Sequence, residues 1–335
     1  MKRIRVFING FGRIGRALLR SMLEDDRFEI AGINDLYPYE QFAYLFRYDS
    51  VYGTLRHRVM LQNDTMAAAG RTIRLFNAED AESLPLDALG IDVLFQCSGV
   101  HLTQNANRPY CDGGAGKIIV SAPPRDGMPM FIAGVNAAAY DGEPVVSSSS
   151  CSANAITPVL QLLHEHAGVE AAAVSMIHSY TAEQHLLDTP SHAGELLRSR
   201  SATTNILPLA SSATFAVGKL LPELAQRFEA HSIRVPVPAG TLYDFSVQLQ
   251  QPFCAEEVNK LFASASRTRY HRLLAVTEKP LASTDIIGDP HGITLESART
   301  KVIGNKFVRL LGWQDNEAGY VAQMLRLALR MHDMH

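Results

Sequence analysis

The sequence predicts an α/β protein of two domains, with a parallel sheet in the first and a sheet of more antiparallel character in the second. In the first half, short apolar runs alternate with amphipathic helical stretches, which is the pattern of β-α-β units. In the second half, longer runs alternate between apolar and polar residues, as in sheets with one wetter face. A chain of 335 residues also suits two domains better than one.

The first domain is predicted from short strands that are rich in β-branched and aromatic residues. These strands are RIRVFI (3–8), FEIAGI (28–33), DVLFQC (92–97) and KIIVS (117–121). An amphipathic helix, RALLRSMLEDD (16–26), follows the first of them. Because strands that alternate with helices are joined by crossovers, we expect these strands to run parallel.

The second domain is predicted to begin near residue 150, where the pattern changes. A helix is expected at 152–166, and the strand-like runs that follow it are AAVSMIHSY (172–180), HSIRVPV (231–237) and LYDFSVQLQQ (242–251). We therefore place the first domain at 1–150 and the second at 151–316. A final amphipathic helix, at 317–331 within the closing segment 317–335, is expected to complete the first domain.

Composition and charge exclude several classes of function. The formal net charge is −3, so no basic surplus indicates a nucleic-acid partner. No apolar run approaches the roughly 20 residues that span a bilayer, and the N-terminus lacks the apolar core of a signal peptide. We expect a cytoplasmic protein without a membrane partner. The four cysteines are scattered without C-x-x-C spacing, so neither a disulfide framework nor a metal site is predicted.

The first predicted strand runs into a glycine-rich turn that is typical of dinucleotide binding. Gly10, Gly12 and Gly15 form the pattern G-x-G-x-x-G, and a helix follows at once. The three glycines permit a tight turn, close approach to a pyrophosphate, and close packing of helix on strand. Free N–H groups and the helix dipole then favour the anion at the helix start. The pattern predicts a Rossmann dinucleotide-binding domain.

An acidic residue at the end of the second predicted strand indicates which dinucleotide is bound. Asp35 lies 20 residues after Gly15, where a carboxylate can accept a hydrogen bond from a ribose 2′-OH. The same charge would repel a 2′-phosphate, which favours NAD over NADP. The alternative is a structural β-α-β turn with an Asp that caps a helix. The order of strand, glycines, helix and acid favours the dinucleotide.

One cysteine is placed where a thiolate would be stabilised. Cys151 follows four serines and precedes a predicted helix, so the helix dipole is expected to lower its pKa and make it a nucleophile. His178, at the end of a predicted strand, can complete a Cys/His catalytic pair. The alternative is a buried structural cysteine and a satisfied core histidine, which residue type alone would favour. Cys97, Cys111 and Cys254 are interpreted as structural.

The chain resembles the phosphorylating glyceraldehyde-3-phosphate dehydrogenase family over nearly its whole length. The motifs that carry the resemblance are INGFGRIGR (8–16), IND (33–35), RYDSVYG (47–53), SGV (98–100), SAP (121–123), SCSAN (150–154), HSYT (178–181), RVP (234–236) and DNEAGY (315–320). The resemblance implies a Rossmann domain followed by an α+β catalytic domain with a mainly antiparallel sheet. It also implies NAD as the cofactor and a homotetramer.

The resemblance further assigns roles to individual residues. Cys151 would be the nucleophile, and His178 the general base that also steadies the oxyanion. Besides the three glycines, the residues that match NAD contacts are Arg13, Ile14, Asn34, Asp35, Ser98, Ser121 and Asn316. Those that match the site for the substrate phosphate are Thr181 and Arg234. Those that match the site for inorganic phosphate are Ser150, Ser152, Arg198, Ser211 and Ser212.

The implied reaction is the NAD-dependent oxidation and phosphorylation of D-glyceraldehyde 3-phosphate to 1,3-bisphosphoglycerate. It would proceed through a thiohemiacetal and a thioester on Cys151, so its partners are a small phosphorylated aldehyde and inorganic phosphate. One alternative is the related erythrose-4-phosphate dehydrogenase activity, in which water resolves the thioester. Another is a protein of this family that binds ligands without catalysis.

The sequence departs from the family pattern at positions that bear on these alternatives. Ala153 replaces a threonine, and the loop 208–213 has Ser212 in place of a glycine, which favours the hydrolytic alternative. Retention of HSYT opposes that alternative. Glu79 stands where an arginine is common, and Ala318 replaces an aromatic residue. The stretch 190–198 is also slightly longer than in relatives.

Overall fold

The computed structural model describes residues 3–191 and 195–333, and its internal contacts divide the chain into two compact units. Unit 1 extends to Ser149 and takes up the chain again at Val321, whereas unit 2 runs from Ser150 to Tyr320. Unit 1 contains a largely parallel sheet and unit 2 a mainly antiparallel one. The predicted fold class is confirmed.

Unit 1 is built from short strands with helices between some of them. Its strands are β1 (Ile4–Asn9), β2 (Phe28–Asn34), β3 (Tyr48–Asp49), β4 (Gly53–Thr54), β5 (Val59–Gln62), β6 (Thr65–Ala68), β7 (Arg71–Phe76), β8 (Val93–Gln96), β9 (Lys117–Val120) and β10 (Val145–Ser147). Its helices are α1 (Arg13–Leu23), α2 (Tyr39–Arg47), α3 (Leu86–Leu89) and α4 (Gln104–Asp112).

The main sheet of unit 1 has the order β10-β9-β8-β1-β2-β7-β6-β5. The pairs from β10 to β7 are parallel, and only the hairpin strands at the β5 edge are antiparallel. From β1 the chain moves to β2 on one side and later to β8 on the other. The strand order therefore reverses at β1, and the carboxyl ends of strands at such a point form a crevice that binds ligands.

Unit 2 is built from longer strands and three helices, and the closing helix begins in it and continues into unit 1. The strands are β11 (Val169–Ser179), β12 (Leu207–Ala210), β13 (Phe228–Val235), β14 (Thr241–Leu249), β15 (Leu274–Thr277), β16 (Ile293–Glu296), β17 (Lys301–Ile303) and β18 (Phe307–Gln314). The helices are α5 (Cys151–Ala167), α6 (Ala213–Leu220), α7 (Ala255–Arg267) and α8 (Ala318–His332). None of the helices in the described residues combines the length and apolar character needed to cross a bilayer.

The sheet of unit 2 has the order β12-β13-β11-β14-β18-β16-β15, with β17 paired to β18. Burial along β14 alternates strictly, as the sequence pattern predicted. Among the described residues, two pairs in this mainly antiparallel sheet are parallel, β15 with β16 and β11 with β13, and the second of these sets His178 opposite Arg234. Helix α5 packs against β11, β14 and β16, and the Gln314 side chain donates a 3.0 Å hydrogen bond to the Cys151 carbonyl. These contacts fix the start of α5 near the end of β11.

Candidate active site

The glycine turn after β1 is shaped for a bound anion. Gly10 has φ +96°, and an added Cβ would lie 2.4 Å from the Ser98 backbone nitrogen, so only glycine fits there. A Cβ on Gly15 would lie 2.1 Å from the Gly10 carbonyl oxygen, which shows how closely α1 approaches the turn. Around Gly12, by contrast, no atom lies within 4 Å of the Cβ position. The turn is therefore closed on the protein side and open at Gly12, directly before the first turn of α1.

Asp35 lies beside this turn at the end of β2. Its carboxylate accepts a 2.5 Å hydrogen bond from the Phe11 N–H and a 2.7 Å bond from the Leu36 N–H. With Phe11, Gly12 and Arg16 it lines a cavity of about 170 Å³. The Asp35 carboxylate and the open side of Gly12 thus line the same cavity in unit 1. This arrangement fits a ribose next to a pyrophosphate.

The other residues that the sequence assigned to unit 1 lie at the same carboxyl ends of the parallel strands. Ser98 follows β8, and its hydroxyl donates a hydrogen bond to the Gln96 side chain. Ser121 follows β9 and is hydrogen-bonded to the Cys97 thiol. The Asn34 side chain is buried and bonds Asn9 and the Ala78 backbone. Asn34 therefore ties the strand ends together through its side chain.

Two members of the first helical turn of α1 complete the predicted set in unit 1. Arg13 and Ile14 are its first two residues, directly after Gly12. The Arg13 guanidinium forms a 2.7 Å ion pair with Asp49. No acidic residue occurs in this first turn, so the start of α1 favours an anion.

In unit 2 the fold brings Cys151 and His178 together. Cys151 is the first residue of α5, and the Ser150 hydroxyl caps the helix by accepting a 3.1 Å bond from the Ala153 N–H. His178 is buried near the end of β11, and its Nε2 lies 3.9 Å from the Cys151 Sγ. The Ser152 hydroxyl lies at the same distance from the sulfur. The arrangement is that of a thiol nucleophile with an adjacent base.

The second nitrogen of His178 is held by the protein and contacted by an arginine. Nδ1 lies 2.7 Å from the Ser179 carbonyl oxygen and 2.6 Å from the Arg234 Nη1. Nη1 also donates a 2.9 Å bond to that carbonyl. The Arg234 Nε is buried, and no atom of the described residues accepts a hydrogen bond from it. A half-buried cation whose buried Nε lacks an acceptor is a natural partner for an anionic ligand.

The protonation of the pair differs from the sequence prediction. Burial raises the pKa of the Cys151 thiol, and the Arg234 charge and a hydrogen bond with Ser152 oppose this without reversing it. Burial, followed by the Arg234 charge, lowers the pKa of His178 to about 3. The expected depression of the thiol pKa is therefore wrong, because burial outweighs the Arg234 charge and the hydrogen bonds to the sulfur at the start of α5. The pair is a thiol beside a neutral imidazole.

Comparison with known proteins agrees with this geometry. The family model described as glyceraldehyde 3-phosphate dehydrogenase, NAD binding domain, matches residues 4–104, and the model of the C-terminal domain of the same enzyme matches 150–316. Glyceraldehyde-3-phosphate dehydrogenase 1 of Streptomyces avermitilis is 37% identical over 333 residues, which cover 98% of this chain and 99% of the relative. The enzyme of Haloarcula vallismortis is 38% identical over 332 residues, which cover 97% of each chain.

The chain belongs to the glyceraldehyde-3-phosphate dehydrogenase family. The predicted resemblance is confirmed, and the protein is an NAD-dependent oxidoreductase. This decides against the alternative of a binding protein without catalysis. The glycine turn, the open side of Gly12 and the Asp35 carboxylate fit NAD, so the cofactor prediction is confirmed as well.

Three further residues of unit 2 that the sequence predicted make contacts with Ser179 or Glu183. The Asn316 side chain accepts a 3.0 Å bond from the Ser179 hydroxyl, next in sequence to His178. Thr181, just after β11, donates a 3.4 Å bond to Glu183. Arg198 forms a 3.0 Å ion pair with the same Glu183. The charges of Arg198 and Glu183 both act on Arg234, so the two arginines share one electrostatic environment.

The loop that the dehydrogenase resemblance assigned to inorganic phosphate leads into α6. The Ser211 hydroxyl accepts a 3.0 Å bond from the Ala213 N–H, and Ser212 directly precedes the helix. The structure adds residues that the sequence prediction missed, namely Glu183 and Glu195 at Arg198, and Ser179 at His178. Glu183 lies 15 residues from Arg198 in the chain, so no spacing rule identifies it. Glu195 and Ser179 lie within three residues of their partners, so their contacts are local ones that the sequence prediction did not consider.

Proposed function

We propose that the chain is a phosphorylating glyceraldehyde-3-phosphate dehydrogenase, which converts D-glyceraldehyde 3-phosphate and inorganic phosphate to 1,3-bisphosphoglycerate. The observation that carries the proposal is the Cys151 Sγ at the start of α5, 3.9 Å from the His178 Nε2. The names of the relatives support the aldehyde, and the half-buried arginine beside His178 supports its phosphate.

The first step joins the sulfur to the aldehyde carbon. The Cys151 thiol passes its proton to the His178 Nε2 as the C–S bond forms and the carbonyl electrons move to oxygen. This requires the hydrogen of the neutral ring to lie on Nδ1, where it can donate to the Ser179 carbonyl, and it requires the Arg234 guanidinium, which can only donate, to move off Nδ1. The resulting imidazolium and the N–H groups at the start of α5 then stabilise the thiohemiacetal oxyanion.

Oxidation and release complete the cycle. NAD, when bound, supplies the acceptor for the hydride that leaves the former aldehyde carbon, and a thioester on Cys151 remains. An oxygen of inorganic phosphate then attacks the acyl carbon and the C–S bond breaks. The sulfur leaves as a thiolate and recovers its proton through His178, and the product is an acyl phosphate.

Two anions must bind close together for this sequence. We assign the aldehyde's phosphate to Thr181 and Arg234, because the half-buried Arg234 has a buried Nε from which no described atom accepts a hydrogen bond. A phosphate bound to Arg234 would also pull its guanidinium away from the His178 Nδ1. We assign the inorganic phosphate to Arg198 and to the hydroxyls Ser150, Ser152, Ser211 and Ser212.

The alternative is an erythrose-4-phosphate dehydrogenase in which water resolves the thioester. One observation favours it: Arg198 is already paired with two carboxylates, Glu183 and Glu195. Initial rates of NADH formation from each aldehyde, with and without phosphate, separate the two. We expect fast, phosphate-dependent turnover of the three-carbon aldehyde. Phosphate-independent turnover of the four-carbon sugar would contradict the proposal.

The assignment of Asp35 to the ribose gives a separate prediction. Asp35→Ala should relax the discrimination against NADP, because the carboxylate that would repel a 2′-phosphate is removed. The ratio of kcat/KM for NAD to that for NADP should fall by roughly ten-fold or more, as expected for the loss of about 1.4 kcal/mol of discrimination. An unchanged ratio would show that the ribose is read elsewhere. Asp64→Asn, a change at a carboxylate in the turn between β5 and β6, is the control.

We also propose that the chain forms a homotetramer, as the family resemblance implies. Several large apolar side chains in unit 2 are exposed in the single chain, including Leu186, Leu187, Leu196 and Ile206. Clusters of exposed apolar side chains are typical of protein–protein interfaces. Sedimentation equilibrium of the purified protein would give the number of subunits.

A further inference from the structure

A carboxylate of this chain contacts both Arg198 and the 208–213 loop, the two parts of unit 2 that we assign to inorganic phosphate. Glu195 precedes a short 3-10 turn, Leu196–Ser199, that carries Arg198. One carboxylate oxygen of Glu195 lies 3.2 Å from the Arg198 Nε, and the other accepts a 3.2 Å bond from the Ala210 N–H. Glu195 therefore bridges the arginine and the 208–213 loop.

The two groups bridged by Glu195 are donors that recognise oxyanions. A guanidinium offers a fork of N–H groups to carboxylates and phosphates alike, and a loop N–H offers a further donor. Phosphate and carboxylate both present two oxygens at suitable spacing. A phosphate bound between Arg198 and this loop would compete for the donors that Glu195 uses.

The charges around Arg198 support competition between Glu195 and inorganic phosphate. Arg198 and Arg234 contribute two positive charges, and Glu183 and Glu195 contribute two negative ones, so the cluster is formally neutral. An inorganic phosphate, with a charge between −1 and −2 near neutral pH, meets little net attraction there. The Glu195 side chain remains about one-third exposed, so it can swing away into solvent.

We propose that Glu195 is a built-in competitor of inorganic phosphate, which sets the affinity of the second anion site of this enzyme. This inference rests on the proposed function and adds to it a residue that controls specificity for the attacking nucleophile. With Glu195 in place, the thioester on Cys151 persists until phosphate displaces the carboxylate. Acylation of Cys151 by the aldehyde does not use Arg198, so Glu195 does not regulate that step.

The test varies inorganic phosphate in the full-length enzyme and in E195Q, with NAD and aldehyde saturating. Glutamine keeps the size of the side chain but removes its charge, so the KM for phosphate should fall roughly 5- to 20-fold. E229Q is the matched control, because Glu229 is an exposed carboxylate on β13 of the same unit. The burst of NADH without phosphate measures acylation and shows that each variant is folded.

The outcomes separate the inference from the proposed function. A lower KM for phosphate in E195Q, with the KM in E229Q as in the wild type, would support competition by Glu195. A normal NADH burst with an unchanged or raised KM in E195Q would overturn the inference alone, since Glu195 would then only position Arg198. Absence of an NADH burst from glyceraldehyde 3-phosphate in the wild type and both variants would overturn the proposed function, and the inference with it.

Discussion

Replacing Cys151 with serine is expected to lower aldehyde-dependent NADH formation by on the order of 10⁴-fold or more. A serine hydroxyl is a far weaker acid than a thiol, and no thioester can form on it. NAD binding should persist, because the glycine turn and Asp35 are unchanged. Steady-state rates and equilibrium dialysis of NAD would measure the two effects.

Cys254→Ser provides the matched control. Cys254 is exposed and forms a capping box with Glu257 at the start of α7, in place of a contact with a catalytic histidine such as Cys151 has. The same chemical change there should leave the rate close to that of the wild type. Activity of Cys151→Ser near the wild-type value would mean that another group is the nucleophile.

His178→Gln is expected to lower kcat by about 10²- to 10⁴-fold, the range typical of a general base. Glutamine preserves much of the side-chain volume but cannot accept the proton of the thiol. The KM for NAD should change little. A loss of less than ten-fold at neutral pH would show that the proton leaves by another route.

The pH dependence of this variant follows from the pKa of the two groups. In the wild type, a His178 pKa of about 3 keeps the imidazole neutral and able to accept a proton across the neutral range. In His178→Gln the thiolate must form by direct ionisation, and burial has raised the pKa of the Cys151 thiol. The rate of the variant should therefore keep rising as the pH increases above neutrality. It should reach no plateau below about pH 8.5, the usual pKa of a cysteine thiol. His231→Gln, on β13, is the control and should retain the wild-type profile.

The sequence predicted those parts of the site that depend on short local patterns of residues. The glycine spacing after β1 requires a tight turn wherever it occurs next to a strand and a helix, and the structure shows why at Gly10 and Gly15. The position of Cys151 at a helix start was equally local. The apolar run ending in polar residues indicated where β11 ends, whereas the 3.9 Å approach of His178 to Cys151 depends on how β11 and α5 pack.

What the sequence did not reveal depends on contacts between distant segments. His178 faces Arg234 because β11 and β13 pair in parallel, although 56 residues separate them. The strands β5 and β6 form a hairpin at the sheet edge, and their residues VMLQ and TMAA carry no strong alternation of apolar and polar side chains. The raised thiol pKa likewise reflects burial, which a helix-start pattern cannot show.

The most direct test of the central claim is the mass of the protein after it is mixed with NAD and glyceraldehyde 3-phosphate without inorganic phosphate. We expect one phosphoglyceroyl group per chain, on the peptide that contains Cys151, and its loss when phosphate is added. The adduct should be absent from Cys151→Ser. An unmodified chain that still forms NADH, or an adduct on Cys254 in place of Cys151, would contradict the assignment of Cys151 as the nucleophile.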